Sequence, residues 1–421
     1  MKMKRVDLDI LVVGGGATGL AAAAKAWELG IEKVALLDEK PIVGGVLPQC
    51  IHTGFGLHYF GEDLTGPEFS YRLEKKVLNS GVEIYREAYG MELRYVKVDE
   101  KVVVASTSKG LREFHSKCVI IATGARERQR HEIGIVGSRP VGVYTAGEVQ
   151  TLMDLYGVMP GREVVIVGSG DIGLIMARRF AMQGAEVKCV IEILPYPSGL
   201  ARNIQQCLID FNIPLYLSHR VVRVRGGRRV KCVEVYEVDR NLNPIPGTKK
   251  IIKCDTLVIS AGLIPRIDLL REAGAVLDPS TKSVVVNEFL ESTIPGVFVA
   301  GNALLINDLV DYVAEQGEKA AEGAVKFIEG DGFPAGEIKE VVRGRNIRLV
   351  VPQRLTGLGE VTLYSRVGRH EDNVVVKISE LNFERTMFRV KPSTMLRVKV
   401  ESSRVKESAS SKVTISVEPK R

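Results

Sequence analysis

Residues 9–20 read Asp9-Ile-Leu-Val-Val-Gly14-Gly-Gly16-Ala-Thr-Gly19-Leu20, an apolar run, then glycines spaced Gly-x-Gly-x-x-Gly, then an alanine-rich stretch reaching Leu29. A short apolar run closed by glycine reads as a buried strand, and the helix formers behind it read as a helix. The pattern occurs twice. Val164-Val-Ile-Val167 leads into Gly168-Ser-Gly170-Asp-Ile-Gly173 and a second helix reaching Gln183. Each copy passes a glycine, Gly30 or Gly184, and enters a second strand that ends in an acid. Asp38 follows Gly14 by 24 residues, and Glu192 follows Gly168 by the same 24.

The spacing has a physical reason. The first glycine permits a tight turn, the second lets a pyrophosphate approach the backbone, and the third lets helix and strand pack closely. The helix start offers unpaired N–H groups and a positive dipole end to phosphate. The acid at the strand tip accepts hydrogen bonds from a ribose. One such motif is a weak signal, but two copies with strand, helix and acid in register leave coincidence a poor explanation. The fold class expected is α/β with two nested Rossmann-like dinucleotide-binding domains. In the second copy Glu192 favours NAD over NADP, because a carboxylate bonds a free 2′-hydroxyl and repels a 2′-phosphate. Arg202, past the following loop, keeps NADP open.

Between the copies lies Val119-Ile-Ile-Ala-Thr123-Gly124, and after the second comes Leu257-Val-Ile-Ser-Ala-Gly262-Leu-Ile-Pro265. Ile294-Pro-Gly-Val-Phe-Val-Ala-Gly301-Asn302 then feeds a helix expected from Leu309 to Ile328. In this order the motifs resemble the two-dinucleotide flavoprotein family, which includes disulfide reductases and NADH oxidases. The resemblance covers residues 6–330. It implies an FAD-binding domain of residues 1–145 and 287–340, with an NAD-binding domain of residues 146–286 inserted into it. Carried over, Gly14, Gly16, Ala17, Thr18, Gly19, Asp38, Gly45, Thr123, Gly124, Gly301 and Asn302 would face FAD. Gly168, Gly170, Asp171, Ile172, Glu192 and Gly262 would face NAD(H). Where the family has Asp after the last Ala-Gly, this chain has Asn302, which still bonds a ribityl hydroxyl but carries no charge.

Disulfide reductases of the family carry two cysteines after the Gly-Gly that closes the first ribose loop. Leu47 and His52 occupy those positions here, so disulfide reduction is not expected. Cys50 stands between them, at an expected helix start that would lower its pKa. It is either a catalytic thiol cycling through a sulfenic acid or a cysteine packed under the flavin. With neither Lys nor Arg from Pro48 to Phe60, the second reading is preferred. His52 and His58 fit a flavin contact or a structural role equally.

Two longer strings sharpen the resemblance: Gly44 through Glu68, and Gly301-Asn302 with Asn307 through Glu315. They are similar to the FAD/NAD-dependent subunit that accompanies a glycerol-3-phosphate dehydrogenase in anaerobic and thermophilic prokaryotes. This implies an NADH-oxidising subunit that exchanges electrons with a second flavoprotein, or with oxygen to give peroxide. The competing readings are the flavin subunit of an amine or proline dehydrogenase, and an electron-relay subunit with a vestigial nicotinamide site. Within the second string, Asp308 reads as a helix N-cap, and Asp311 and Glu315 as a solvated acidic face.

Past Gly330 the pattern changes to short alternating strands, expected as a small all-β, sandwich-like domain of residues 341–421, with Ser402–Ser411 as a flexible hairpin or loop. Bases outnumber acids there by 17 to 8, against 41 to 43 in the rest of the chain. The basic excess is therefore local. Without a recognition motif it does not indicate nucleic acid, and it suits either partner docking or a stabilising lid. The six cysteines form no CxxC and no metal-ligand spacing, so no metal site is expected. The lysine-rich start resembles a secretory signal, but its apolar run turns into the first glycine motif. No stretch reads as a transmembrane segment, and a cytoplasmic protein is expected.

Overall fold

The computed structural model describes residues 3–334 and 337–420. The chain divides into two units, Met1–Ala125 with Pro265–Arg421, and Arg126–Ile264.

In the first unit a parallel sheet runs in the order Glu83–Tyr85, Val34–Leu37, Lys4–Val13, Gly110–Ile121, Val297–Val299. In chain order these are strands three, two, one, four and five of the layer, the doubly wound arrangement. Val12 lies between Leu36 and Ile120 in register. Ile10, Leu11 and Val12 are fully buried, which is why the strand reads as unbroken apolar sequence. Glu100–Thr107 pairs antiparallel with Gly110–Ile121 and carries Tyr89–Lys97 at the edge.

The second unit repeats the order with Leu215–Tyr216, Glu186–Ile191, Glu163–Val167, Thr256–Ile259 and Val143–Thr145, all parallel. Here the fifth position is filled by chain that precedes the first strand. The domain limits expected from the sequence shift accordingly. Val143–Thr145 pairs with Thr256–Ile259, so the inserted unit begins at Arg126 rather than at residue 146. At its far end, Ile267, Leu269, Leu270, Val284 and Val286 are buried in the core of the first unit. The insertion therefore ends at Ile264 rather than at residue 286.

The first unit's opening helix, Ala17–Glu28, packs against its longest, Val310–Glu329. Small side chains allow the crossing, since Ala17 and Ala21–Ala24 are buried on one helix and Ala314, Gly317, Ala320 and Ala321 on the other. A methyl group on Gly317 would lie 2.2 Å from the Thr18 carbonyl oxygen.

The C-terminal residues form a five-stranded sheet, ordered Arg354–Leu355, Lys339–Arg343, Lys412–Pro419, Glu371–Ile378, Phe383–Val390, and a three-stranded sheet of Ile347–Val351, Val361–Val367 and Leu396–Val400. They enclose a core of their own, including Leu363, Val376, Ile378, Val413 and Ile415. The segment expected as a loop differs: Ser402–Glu407 is a short helix, because Val405 is fully buried in that core. Among the described residues no helix is long and apolar enough to cross a membrane.

Replacing Gly317 by Ala should drive the two helices apart and destabilise the protein by at least about 1–3 kcal/mol, the usual range for overpacking. Urea unfolding followed by circular dichroism measures this, and an unchanged midpoint would show that the crossing has slack.

Candidate nucleotide sites

Each glycine turn is built by clashes that only glycine avoids. After Val13 the backbone turns through Gly14 at φ +108°, where a methyl group would sit 2.4 Å from the Ala122 carbonyl oxygen. One on Gly19 would lie 1.8 Å from the Gly14 oxygen. The second copy does the same: a methyl on Gly168 would meet the Ser260 oxygen at 2.0 Å, and one on Gly173 the Gly168 oxygen at 2.4 Å. The middle glycines behave differently. Around Gly16 the nearest atom would be Gly45 Cα at 3.8 Å, and around Gly170 nothing described lies within 4 Å. Gly16 and Gly170 are also the N-caps of their helices, and neither cap is filled by a side chain. First and third glycines thus answer to the protein's own backbone, while the second faces space that a phosphate would fill beside unclaimed N–H groups.

The two acids hold their turns in the same way. Asp38, 7% exposed, accepts the Gly15 N–H at 2.6 Å and the Lys40 N–H at 2.7 Å. Burial pushes its carboxyl above the usual range, against the lowering effect of those two donors. Glu192, 4% exposed, accepts the Ser169 N–H and the Leu194 N–H, each at 3.0 Å. It also accepts the Ser169 hydroxyl and, at 3.0 Å, the Ser198 hydroxyl. Each carboxylate therefore ties the tip of a second strand to the residue between the first two glycines.

The remaining sequence-derived residues fall into place unevenly. Ala17 and Thr18 are the first two residues of the opening helix, both buried. Gly45 faces Gly16, and Gly44 donates its N–H to the Gly15 oxygen at 2.7 Å. A methyl on Gly301 would meet Thr18 Oγ1 at 2.0 Å, so this later turn abuts the first helix start. Thr123 donates its hydroxyl to the Arg266 oxygen at 2.6 Å, and the following Gly124 has nothing described within 4 Å of an added methyl. Asn302 Oδ1 accepts the Asn307 N–H at 3.0 Å. Gly262 accepts the Arg128 N–H at 3.0 Å. Ile172 is exposed on the first turn of its helix. Asp171 has a task inside the protein: its Oδ1 accepts the Leu200 N–H at 2.8 Å and the Asn203 side-chain amide at 2.6 Å, fixing the loop beyond Glu192.

Three acids depart from the sequence-based expectation. Asp308 is not an N-cap, since the helix begins at Val310 behind Leu309 with no side-chain cap. Asp308 pairs with Arg366, and Glu315 with Arg397. Asp311, 2% exposed, accepts three backbone N–H groups: Gly56 at 3.2 Å, His58 at 2.9 Å and Tyr59 at 2.9 Å. It holds the 56–59 loop to the helix start. The sequence does carry a signal for it, the spacing three residues before Ala314 on the small-residue face. Gln316, which no motif marks, accepts the Gly301 N–H at 3.0 Å.

Cys50 does not begin a helix. It follows the 3-10 turn Leu47–Gln49, on the C-terminal side, and donates its thiol to the Val46 oxygen at 3.3 Å. Its carbonyl oxygen accepts the N–H of Gly66, the first residue of the helix Gly66–Leu78, at 2.9 Å, and a methyl group on Gly66 would lie 2.7 Å from Cys50 Cβ. His52 Nδ1 lies 2.9 Å from its neighbour's oxygen, that of Thr53, and its ring packs on Phe55. His58 stacks on Tyr312 at 6.1 Å. Among the described residues no cluster of His, Cys, Asp or Glu suits a metal ion.

Two glycine turns, each bridged by a strand-tip carboxylate, define a two-dinucleotide fold. Residues 8–325 match the pyridine nucleotide-disulphide oxidoreductase family, and the chain belongs to it; the family uses FAD and NAD(P)H. An opine oxidase subunit of Agrobacterium tumefaciens (strain Ach5) is 25% identical over 312 residues, 70% of this chain and 61% of that protein. The alpha chain of sarcosine oxidase from Rhizobium meliloti (strain 1021), likewise one subunit of its enzyme, is 27% identical over 364 residues, 82% of this chain and 33% of that protein. The chain spans between 33% and 64% of the length of the first four curated relatives it matches. The solved thioredoxin reductase of T. acidophilum shares the fold, with a TM-score of 0.64 at 24% identity over 76% of this chain and 99% of that one.

Because Glu192 accepts protein N–H groups on both oxygens, Glu192→Gln sets an amide donor against one of them. NADH binding should weaken about ten- to a hundredfold, matching roughly 1.5–3 kcal/mol for a hydrogen bond to a charged group. Glu192→Arg should not improve NADPH binding, because the guanidinium meets the same donors. Titration of each variant with both nucleotides checks this, and a clean gain for NADPH would limit Glu192 to the ribose. Cys50→Ser should keep most NADH:dye activity, since the stretch from Pro48 to Phe60 holds neither Lys nor Arg to lower the thiol's pKa. Loss of activity with flavin still bound would make the thiol catalytic.

Proposed function

We propose that this chain is an FAD-dependent oxidoreductase that exchanges hydride with NAD(H) and passes electrons to or from a second flavoprotein. The observation that carries the reading is the duplicated device in which Asp38 and Glu192 each bridge a glycine turn whose middle glycine faces open space. In the first unit Gly14, Gly16, Ala17, Thr18, Gly19, Asp38, Gly45, Thr123, Gly124, Gly301 and Asn302 hold FAD. In the second, Gly168, Gly170, Ile172, Glu192 and Gly262 hold NAD(H), and Asp171 orders the neighbouring loop. When bound, the flavin supplies acceptance of a hydride and its release as electrons. The protein's residues bind the phosphates at two uncapped helix starts and fix both riboses.

Disulfide reduction is excluded from the proposal, because Leu47 and His52 stand where the thiols would be and no disulfide joins any of the six cysteines. Cysteines without disulfides also suit a reducing, cytoplasmic setting. The partner we favour is a glycerol-3-phosphate dehydrogenase subunit, on the strength of the 44–68 and 301–315 strings, with peroxide formed when oxygen takes the electrons instead. A second reading, the flavin subunit of an amine or proline dehydrogenase, is favoured by the opine oxidase and sarcosine oxidase relatives, both named as subunits.

Anaerobic titration of the FAD-loaded full chain decides between them. NADH should bleach the flavin band stoichiometrically, with glycerol 3-phosphate and amino acids inert in the absence of a partner. Bleaching by an amino acid alone would favour the second reading, and a flavin untouched by NADH would sink the first.

A further inference from the structure

The basic C-terminal domain is the part of the chain that nucleotide binding does not use, yet it grips the segment beside the Gly301 turn. Arg366, 8% exposed on the strand Val361–Val367, pairs with Asp308. The same guanidinium donates to the Ile306 oxygen at 3.0 Å and the Pro392 oxygen at 3.3 Å. The other Asp308 oxygen accepts the Met395 N–H at 2.7 Å. On the adjacent strand, Arg397 pairs with Glu315 and lies 3.9 Å over the Tyr312 ring, which stacks in turn on His58.

These contacts lead inward to the turn. Asn307, next to Asp308, donates its N–H to Asn302 Oδ1 at 3.0 Å and accepts the Gln316 amide at 3.0 Å. Gln316 in turn accepts the Gly301 N–H. Asn302 Oδ1 is thereby committed to the protein, while the amide Nδ2 makes no hydrogen bond among the described residues. An unclamped segment would let Asn302 rotate, because its orientation depends on the backbone position of Asn307.

We propose that the C-terminal domain is a positioning element for the flavin turn, acting through Arg366, which holds Asp308 and through it Asn307 and Asn302. The inference rests on the FAD reading above. Arg345 supplies the control: it makes a two-point pair with Glu371 at 2.8 and 2.9 Å and donates to the Val417 oxygen, with every one of these partners inside the domain.

The test uses full-length wild type, Arg366→Ala, Arg366→Lys and Arg345→Ala, with FAD affinity read by fluorescence quenching and flavin geometry by visible circular dichroism. Arg366→Ala should bind FAD at least about tenfold more weakly, the factor equivalent to about 1.4 kcal/mol, and alter the visible spectrum. Arg366→Lys should recover part of the loss, because it keeps the charge facing Asp308 but not the planar fork that also reaches Ile306 and Pro392. Arg345→Ala should lower the melting temperature and leave FAD affinity and spectrum at wild-type values. Wild-type affinity in Arg366→Ala, or equal loosening in Arg345→Ala, overturns the clamp while the flavin reading stands. Wild type that takes up no FAD overturns the flavin reading itself, and the clamp with it. If Arg366→Ala is insoluble, Asp308→Asn removes the same ion pair at similar size and is held to the same two outcomes.

Discussion

A carboxylate oxygen bonded to the backbone N–H between the first two glycines gives each nucleotide turn its shape. Asp38 does this for Gly15 and Glu192 for Ser169. Burying a carboxylate is unfavourable by several kcal/mol unless donors surround it, and both acids are surrounded by N–H groups that no helix or sheet employs. The bond fixes the distance from each glycine turn to the tip of the second strand, because it joins the ends of two adjacent parallel strands. It also leaves the following helix starts uncapped. Their N–H groups have no side-chain partner, which is the condition for taking an anion.

How far the sequence disclosed this depends on the range of each interaction. Gly14, Gly19, Gly168 and Gly173 were legible because the clashes that demand glycine arise within a linear motif or against the next strand of the same sheet. The carboxylates were legible by position, though not in their full role, since the N–H donors they take from Lys40 and Leu194 leave no side-chain signature. The limits of the insertion were hidden. Val143–Thr145 is a three-residue strand whose partner lies more than a hundred positions later, and nothing local distinguishes it from the chain before it.

The acids around the start of the helix Val310–Glu329 were illegible for the same reason. Asp308 and Glu315 find their arginines 58 and 82 residues downstream, so local reasoning offers only a cap and a wet face. Glu288 repeats the lesson, accepting the Thr356 and Leu358 N–H groups from the C-terminal domain. Part of the basic excess near the C-terminus thus answers acids of the same chain. A net charge of +7 says little about outside partners until such internal pairs are set aside.

The displaced fifth strand has a consequence for synthesis. The inserted sheet holds all its strands once the ribosome has passed Ile259, since its outermost strand was made first. The first sheet waits for Val297–Val299, which completes it from the far side of the insertion. Its opening four strands, rich in buried valine, leucine and isoleucine, must spend the translation of well over a hundred residues with an unpaired edge. Such an edge invites association with other chains. The later-born module has the earlier opportunity to close, and the exposed interval belongs to the strands made before it.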